Sequence, residues 1–151
     1  MTDLTDKRIL ELLSKNSAAS ATEIGNAVNL SVPAVNKRIS RLRENGTIKE
    51  FTIITDSKRV EKSVVAFILL AIRYGNAIET LMESIENDPD ILECYAVTGD
   101  YDYIIKICAS SVEALEEKLL ALKKQRDVIK SHTMLSLMEH KFKVTALPDT
   151  E

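Results

Sequence analysis

Residues 20–45 are the most constraining stretch of the sequence, because their pattern fits two short helices joined by a tight turn. Ser20 is followed three residues later by a glutamate, which is the capping-box spacing at a helix start. Asn29 stands where the first helix has to end, and asparagine tolerates the left-handed conformation that such an end often needs. We expect Ser31 to cap the second helix, since Pro33 is acceptable only in a helix's first turn. The stretch therefore predicts a helix-turn-helix.

The second of these helices has two distinct faces. Val35, Ile39 and Leu42 recur at helical spacing and are expected to face the core. The opposite face carries Asn, Ser, Lys and Arg, which can donate to phosphates and reach base edges in a major groove. The same pattern also fits a solvated surface on an ordinary helical hairpin, and spacing alone does not separate the two interpretations.

Charge is distributed unevenly along the 151 residues, although the net charge is only −3. The first 50 residues carry eight Lys and Arg against six Asp and Glu, whereas the remaining 101 carry 12 against 17. This division suits a DNA-binding end joined to an acidic domain with another role. Because the positive patch is modest, we expect tight binding to need pairing of subunits.

The composition is that of a globular protein with hydrophobic cores, since 45% of the residues are hydrophobic and 28% are charged. The longest apolar run, Val64–Ile72, is too short to span a bilayer, and no signal-peptide pattern opens the chain. We therefore expect a cytoplasmic protein without membrane association. Cys94 and Cys108 lie in apolar, strand-like stretches, which favours buried thiols over a disulfide. Neither a CxxC pair nor His and Cys at ligand spacing is present, so no metal and no cofactor is expected.

The N-terminal part is predicted to contain three helices followed by a strand. Residues 5–13 carry an apolar helical face, and Gly46 is placed to end the third helix. Residues 47–54 are rich in β-branched and aromatic side chains, which is a strand signal. This order predicts a winged helix-turn-helix domain over residues 1–54, followed by a polar linker at 55–63.

Residues 64–151 are predicted to form a second domain, which makes the protein α+β in class. Strand and helix patterns alternate in the order βαββαβ, which is the ferredoxin-like arrangement. Strands are expected at 64–72, 91–97, 101–109 and 128–138, and helices after residue 78 and after the capping-box pair Ser110 and Glu113. Three apolar tail residues are expected to add an edge strand or to pack on a neighbouring subunit: Phe142, Val144 and Leu147.

Both parts resemble the Lrp/AsnC family, the leucine-responsive and asparagine-synthase regulators of bacteria and archaea. The resemblance lies in TEIGNAVNLSVPAVNKRISRLRENGTIKEFT and, further on, in VTGDYDYIIKI and SHTML, placed as in the family's effector domain, called RAM. Asn29 departs from the family's usual glycine, and Glu50 from a usual small residue. The resemblance implies a transcription regulator that dimerises mainly through its RAM sheet and often assembles into tetramers or octamers.

The resemblance also implies that the second helix of the helix-turn-helix binds double-stranded DNA. Two such helices in a dimer ask for half-sites about 34 Å, or a multiple of it, apart. Lys37 and Arg41 are the first choices for base edges, and Arg38 and Arg43 for phosphates. The predicted DNA-binding residues are Ser31, Asn36, Lys37, Arg38, Ser40, Arg41 and Arg43.

The turn at residues 98–103 is the predicted effector site. A glycine between two strands lets consecutive N–H groups converge on an anion such as a carboxylate. Asp100 or Asp102 can then bind the ammonium group of the same amino acid. From the residues alone, an ordinary hairpin turn is the favoured interpretation. The resemblance implies a small amino acid bound here between dimers. The predicted effector-binding residues are Thr98, Gly99, Asp100, Tyr101, Asp102 and Thr133.

These observations predict a sequence-specific regulator of amino-acid metabolism genes that responds to an amino-acid effector. An effector-independent regulator is an alternative, because some relatives work without a ligand. An enzyme resembling the sirohaem decarboxylases, which share this two-part fold, would want clustered His and Arg side chains. The C-terminal 101 residues hold three Arg and two His, so no enzymatic activity is expected. A winged helix that binds RNA or docks on a protein is the third possibility.

Overall fold

The computed structural model describes residues 2–73 and 78–149, which fall into two compact units. The first unit contains the described residues up to Ile54 and from Lys141 onward, and the second spans Thr55–His140. The elements are α1 (Leu4–Lys15), α2 (Ala21–Val28), α3 (Val32–Glu44), β1 (Val64–Ile72), α4 (Ile78–Asn87), β2 (Ile91–Ala96), β3 (Tyr103–Ala109), α5 (Val112–Lys123) and β4 (Val128–Leu135).

The first unit is a three-helix domain built on a small apolar core. Ile9 of α1, Ile24 of α2, and Val35 and Leu42 of α3 are fully buried in it. The predicted capping box of α2 is confirmed, since the N–H of Glu23 donates to Ser20 Oγ and the Ser20 N–H donates back to the glutamate. The three helices therefore close around one core as the apolar periodicity requires.

The turn between α2 and α3 is formed as predicted, although its second cap differs. Asn29 ends α2 in the left-handed region, with φ 55° and ψ 47°. Ser31 is the N-cap residue of α3, as predicted, but its side chain makes no capping hydrogen bond. Pro33 removes the N–H of the second helical residue, which leaves the N–H of Ala34 as the remaining donor for a cap hydroxyl.

The strand predicted over residues 47–54 is not formed. Gly46 terminates α3 with φ 76°, as expected. The following residues up to Ile54 are irregular, and Phe51, Ile53 and Ile54 are exposed. A β-branched segment becomes a strand only where a second strand accepts its hydrogen bonds. The part of the chain that the structure describes provides no such partner for it.

The C-terminal tail also differs from the sequence expectation of an edge strand. Its described residues, 136–149, contain no strand. Leu147 packs against the core of the first unit, and the Lys7 ammonium donates to the carbonyl oxygen of Asp149 over 2.6 Å. The tail is thus attached to the helical unit.

The second unit confirms the predicted ferredoxin-like arrangement. Its antiparallel sheet has the order β2-β3-β1-β4, and α4 and α5 cover one face. Alternate β1 residues are buried under those helices together with Leu81, Ile85, Leu115 and Leu122. Helix α5 is capped by Ser111, whose side chain accepts from the N–H of Ala114, so the cap lies one residue beyond the predicted Ser110.

The other face of this sheet lies outside the helix-covered core, and it combines apolar residues with the charged Lys106. Phe67 stands opposite Lys106 and Met134 in the strand register, and Leu69 stands opposite Ile104. Phe67 and Leu69 are half-buried, and Met134 is 41% exposed. One broad sheet face of the second unit is therefore available for packing.

Cys94 and Cys108 are both free thiols, as expected. Burial raises the pKa of each. Within the described ranges, the helices are too short or too polar to cross a lipid bilayer.

Candidate DNA-binding surface and effector turn

Helix α3 presents a polar and basic face that the core does not use. Val35 and Leu42 anchor the helix on its inner side, and this fixes which residues face outward. Of the seven predicted DNA-binding residues, six are exposed: Ser31, Asn36, Lys37, Ser40, Arg41 and Arg43. Lys37, Ser40 and Arg41 line one shallow, open depression on the helix surface together with Arg38.

Arg38 differs from the other six because two carboxylates of α1 and its cap already bind it. Its Nη1 donates to Asp3 Oδ2 and to Asp6 Oδ1, both at 2.7 Å. The hydrogen bond from Arg38 lowers the pKa of Asp3, and in turn the hydrogen bonds from Asp3 and Asp6 raise the pKa of Arg38. The guanidinium expected to hold a phosphate is thus half-buried and neutralised by protein groups.

Arg41 shares Asp6 with Arg38. Its Nη2 donates to Asp6 Oδ2 over 2.5 Å, while its side chain remains 52% exposed. Asp6 itself is 1% exposed, and its carboxylate is satisfied by these two arginines and by the backbone N–H of Asp3, which closes the capping box of α1.

Arg43 contacts an aromatic ring rather than a carboxylate. Its guanidinium carbon lies 5.9 Å from the centre of the Phe51 ring, within the range of a cation–π contact. Near the end of α3, this contact ties the helix to the irregular segment that follows it. Arg43 remains exposed and can still reach a phosphate.

Sequence reasoning missed the role of Asp6, although a signal was present. Asp6 occupies the same helical face as Ile9, Leu10 and Leu13, at i, i+3, i+4 and i+7. A lone carboxylate in such a stripe has to find a cation when the helix packs. Two arginines on a neighbouring helix satisfy it here.

The second candidate site is the loop between β2 and β3. Gly99 has φ 113°, a conformation that L side chains rarely adopt, and a Cβ there would meet no atom within 4 Å. Thr98, Gly99 and Asp100 are exposed at the tip. The backbone conformation therefore requires the glycine. Crowding does not, because the space around the turn is open.

Asp102 has a structural role in this loop. Its carboxylate accepts the backbone N–H of Ile72, and its own N–H donates to the carbonyl oxygen of Leu70, both over 2.8 Å. Its carbonyl oxygen accepts the N–H of Val97 and closes the loop, so β3 begins at Tyr103, two residues later than predicted. Of the two candidate acids, Asp100 is the one that lies exposed at the tip.

Tyr101 connects the loop to the edge strand β4. Lys130 Nζ lies 4.8 Å from the centre of the Tyr101 ring, and the ring centres of Tyr101 and His132 are 6.4 Å apart. Thr133 stands opposite Ile68 and therefore lies on the helix-covered face, whereas His132 stands opposite Leu69 on the other face. The structure thus brings Lys130 and His132, which the sequence did not single out, to the predicted site.

Comparison with known proteins identifies the family of each of the two parts of the chain. Residues 2–49 match the winged helix-turn-helix DNA-binding family model, and residues 65–145 match the Lrp/AsnC ligand-binding domain. The regulator FL11 of Pyrococcus furiosus is 35% identical over 97% of this chain and 95% of its own length. AzlB of Bacillus subtilis, a transcriptional regulator, is 31% identical over 100% of this chain and 98% of its own.

Solved structures give the same result. A transcriptional regulator of Neisseria meningitidis, crystallised as a complex with L-Met, superimposes with a TM-score of 0.92 at 27% identity, covering 98% of this chain and 97% of that one. LrpC of Bacillus subtilis gives a TM-score of 0.85 at 29% identity, covering 95% and 99%. With a helix-turn-helix followed by a ligand-binding domain over nearly its whole length, the chain belongs to the Lrp/AsnC family of transcriptional regulators.

Proposed function

We propose that the chain is a sequence-specific regulator of amino-acid metabolism genes that inserts α3 into the major groove of duplex DNA. The observation that carries this proposal is the exposed polar row on α3, held outward by the buried Val35 and Leu42. Lys, Arg, Asn and Ser on one helix face supply both phosphate contacts and base-edge contacts. The helix-turn-helix fold presents such a face to the groove.

Individual roles follow from exposure and existing contacts. Lys37 and Arg41 read base edges, with Ser31, Asn36 and Ser40 as further donors around them. Arg43 holds a phosphate. Arg38 is assigned a weaker phosphate contact than the sequence suggested, because Asp3 and Asp6 already compensate its charge.

Substitution of Arg41 and Lys37 tests this proposal. Full-length protein is first used to select bound duplexes from a random library, and affinity for a selected duplex is then compared with a scrambled one. Arg41→Ala is expected to weaken specific binding by about 1–3 kcal/mol and to relax one base position. Lys37→Ala is expected to act similarly at another base.

Lys15→Ala provides a matched control, because Lys15 is an exposed cation at the end of α1 and not on α3. Its affinity should stay within twofold of wild type. The DNA-binding proposal would be refuted if wild-type protein bound only single-stranded RNA, or no nucleic acid at all. Either result would favour RNA binding or protein docking by the winged helix.

We propose further that a small amino acid binds at the 98–103 loop and changes the assembly of the regulator. Support comes from the open space around Gly99 and from the exposed Asp100, which can receive an ammonium group. The neighbouring Lys130 adds a cation for a carboxylate. A ligand shifts an assembly equilibrium only if it binds one state more tightly than another.

Titration with L-Met and the other common amino acids tests the effector proposal, with the melting temperature and the molar mass as readouts. At least one amino acid should raise the melting temperature, and Asp100→Asn should weaken that response. Asp56→Asn, which changes an exposed acid in the linker, is the control. If none of the amino acids changes either readout, the regulator is effector-independent while its DNA-binding function stands.

The proposed working form is a homodimer, with tetramers or octamers as higher assemblies. The apolar residues Phe67 and Leu69 on the uncovered sheet face support this proposal, because they offer a surface on which two subunits can pair. Because the DNA of a prokaryotic cell is in the cytoplasm, the regulator is assigned to that compartment. The relatives compared above are regulators, and the proposal gives the chain no enzymatic reaction.

A further inference from the structure

The buried carboxylate of Asp6 lies between the two arginines that α3 directs toward its polar face. Each of its oxygens binds a different arginine, with Oδ1 on Arg38 and Oδ2 on Arg41. The contacts join residues that are 32 and 35 positions apart in the sequence. The beginning of α1 thus holds two side chains of the helix assigned to DNA.

This arrangement restricts the conformations of Arg41 without hiding it. An arginine on a helix surface ordinarily samples many rotamers, and ordering such a side chain on binding opposes association. One terminal nitrogen of Arg41 is bound by a buried carboxylate, yet the side chain stays 52% exposed. A guanidinium has five N–H donors in a rigid plane, so a contact at one end orients the donors that remain.

Asp3 provides the natural comparison. It forms an ion pair with Arg38, and Arg41 acts on it only through space. Its side chain is 51% exposed, whereas that of Asp6 is 1% exposed. An exposed ion pair exchanges readily with water and salt, while a buried one is held by the cost of separating it. We therefore expect loss of the Asp6 charge, but not loss of the Asp3 charge, to free the Arg41 side chain.

We propose that Asp6 is a specificity-determining positioning residue, which pre-orients Arg41 for base readout and withholds the charge of Arg38 from the DNA backbone. The proposal rests on the assignment of α3 to DNA made above. The Arg41 side chain is then already ordered when it contacts its base. Arg38 adds little to the non-specific affinity for the phosphate backbone. Together these effects raise the ratio of specific to non-specific affinity.

Asp6→Asn is the direct test, since asparagine keeps the shape and removes the charge. Affinities are measured for a library-selected duplex and for a scrambled duplex of equal length, across a salt series. The specific affinity should fall about threefold to tenfold per half-site, as expected when a rotamer-rich side chain must be ordered on binding. The non-specific affinity should rise, and its salt slope should steepen by up to about 0.9 per subunit as Arg38 becomes available to a phosphate.

Opposite changes in the two affinities distinguish positioning from a merely structural role. Partial unfolding lowers the active fraction and weakens both affinities by the same factor, leaving their ratio unchanged. Asp3→Asn is the matched control, because asparagine is an equally good N-cap and Arg41 keeps its partner. Its non-specific affinity is expected to rise as Arg38 loses one of its two carboxylates, but the fall in specific affinity expected for Asp6→Asn should be absent.

A double-mutant cycle shows whether Asp6 acts through Arg41. In an Arg41→Ala background, Asp6→Asn should no longer lower the specific affinity. If the effect of Asp6→Asn persists in that background, or if Asp6→Asn tightens specific binding in the wild-type background, the proposal is overturned. The latter result would mean that Asp6 sequesters Arg41.

A measurement on unsubstituted protein covers the case in which Asp6→Asn does not fold. Nuclear relaxation of arginine side-chain N–H groups in the DNA-free protein should show Arg41 and Arg38 rigid on the nanosecond timescale. Arg59, whose side chain is 87% exposed, is the internal reference for a mobile one. Equal mobility of Arg41 and Arg59 overturns the inference, whereas failure of wild-type protein to bind any duplex refutes the DNA assignment instead.

Discussion

Gly25 shows how a single residue can fix the geometry of the helix-turn-helix. A Cβ built on Gly25 would lie 2.6 Å from the carbonyl oxygen of Leu30, closer than real Cβ atoms approach a backbone atom. The Gly25 carbonyl accepts the N–H groups of Asn29 and Leu30, which close the turn after α2. The turn packs onto the helix at this point, and only a glycine permits that approach.

Gly25→Ala is therefore expected to destabilise the helical unit, although alanine ordinarily stabilises a helix interior by about 0.5–1 kcal/mol over glycine. Displacing the Leu30 carbonyl should outweigh that gain and give a net loss of about 1–3 kcal/mol, the usual penalty for overpacking. Urea unfolding followed by helical circular dichroism measures it. Asn26→Ala, an exposed change on the same helix, should stay near wild type. A Gly25→Ala protein more stable than wild type would contradict the close approach.

At the scale of elements, local signals predicted most of the structure. Strand β1 has the predicted bounds, and α2 begins and ends where Ser20 and Asn29 indicated, because capping and apolar periodicity depend on neighbours a few residues away. The segment at 47–54 was wrongly predicted as a strand because its state depends on a partner strand. The place of Asp6 in an apolar stripe indicated that it needs a cation, but which arginines supply it depends on how α1 and α3 cross.

The linker illustrates another element whose structure comes from distant contacts. Residues 56–62 form a compact turn, in which the N–H of Lys62 donates to the carbonyl oxygen of Ser57. The Lys62 ammonium lies 2.7 Å from Asp90 Oδ1, and Lys118 of α5 lies 2.8 Å from Asp90 Oδ2. One carboxylate thus attaches the linker and α5 to the loop that precedes β2.

This cluster predicts a pH dependence of stability in the acidic range. Hydrogen bonds from Lys118 and then Lys62 hold the pKa of Asp90 below its ordinary value of 3.8. A depressed carboxyl pKa stabilises the folded state above the unfolded pKa, and this contribution is lost as the pH falls through the folded pKa. The stability difference between wild type and Asp90→Asn should therefore be full at neutral pH and shrink below about pH 4.

Urea unfolding at a series of pH values between neutral and strongly acidic measures this difference. Asp149→Asn, which changes an exposed acid of the tail, should show no comparable loss. A wild-type advantage over Asp90→Asn that stays constant down to the most acidic pH would mean that the ion pairs contribute nothing.

At the scale of the whole molecule, the modest charge of the DNA-binding end has to be reconciled with tight binding. Asp3 and Asp6 compensate part of the positive charge of α3, so one subunit offers few unpaired cations to the phosphates. Linking two weak sites turns the second binding step into an intramolecular one and raises the overall affinity by orders of magnitude. We therefore expect the proposed pairing through the second unit to be the main source of affinity for DNA.

Phe67→Glu tests this dependence, since Phe67 lies at the middle of the uncovered sheet face and opposite Met134. A carboxylate there would lose its water on pairing, so the variant is expected to be a folded monomer. Its affinity for a two-half-site duplex should fall by about a hundredfold, the lower end of what bivalency contributes, while binding to a single half-site is unchanged. Val112→Glu is the matched control, because it adds the same charge at an exposed apolar position in the first turn of α5. Light scattering with size exclusion gives the mass, and a dimeric Phe67→Glu protein with wild-type affinity would locate the pairing surface elsewhere.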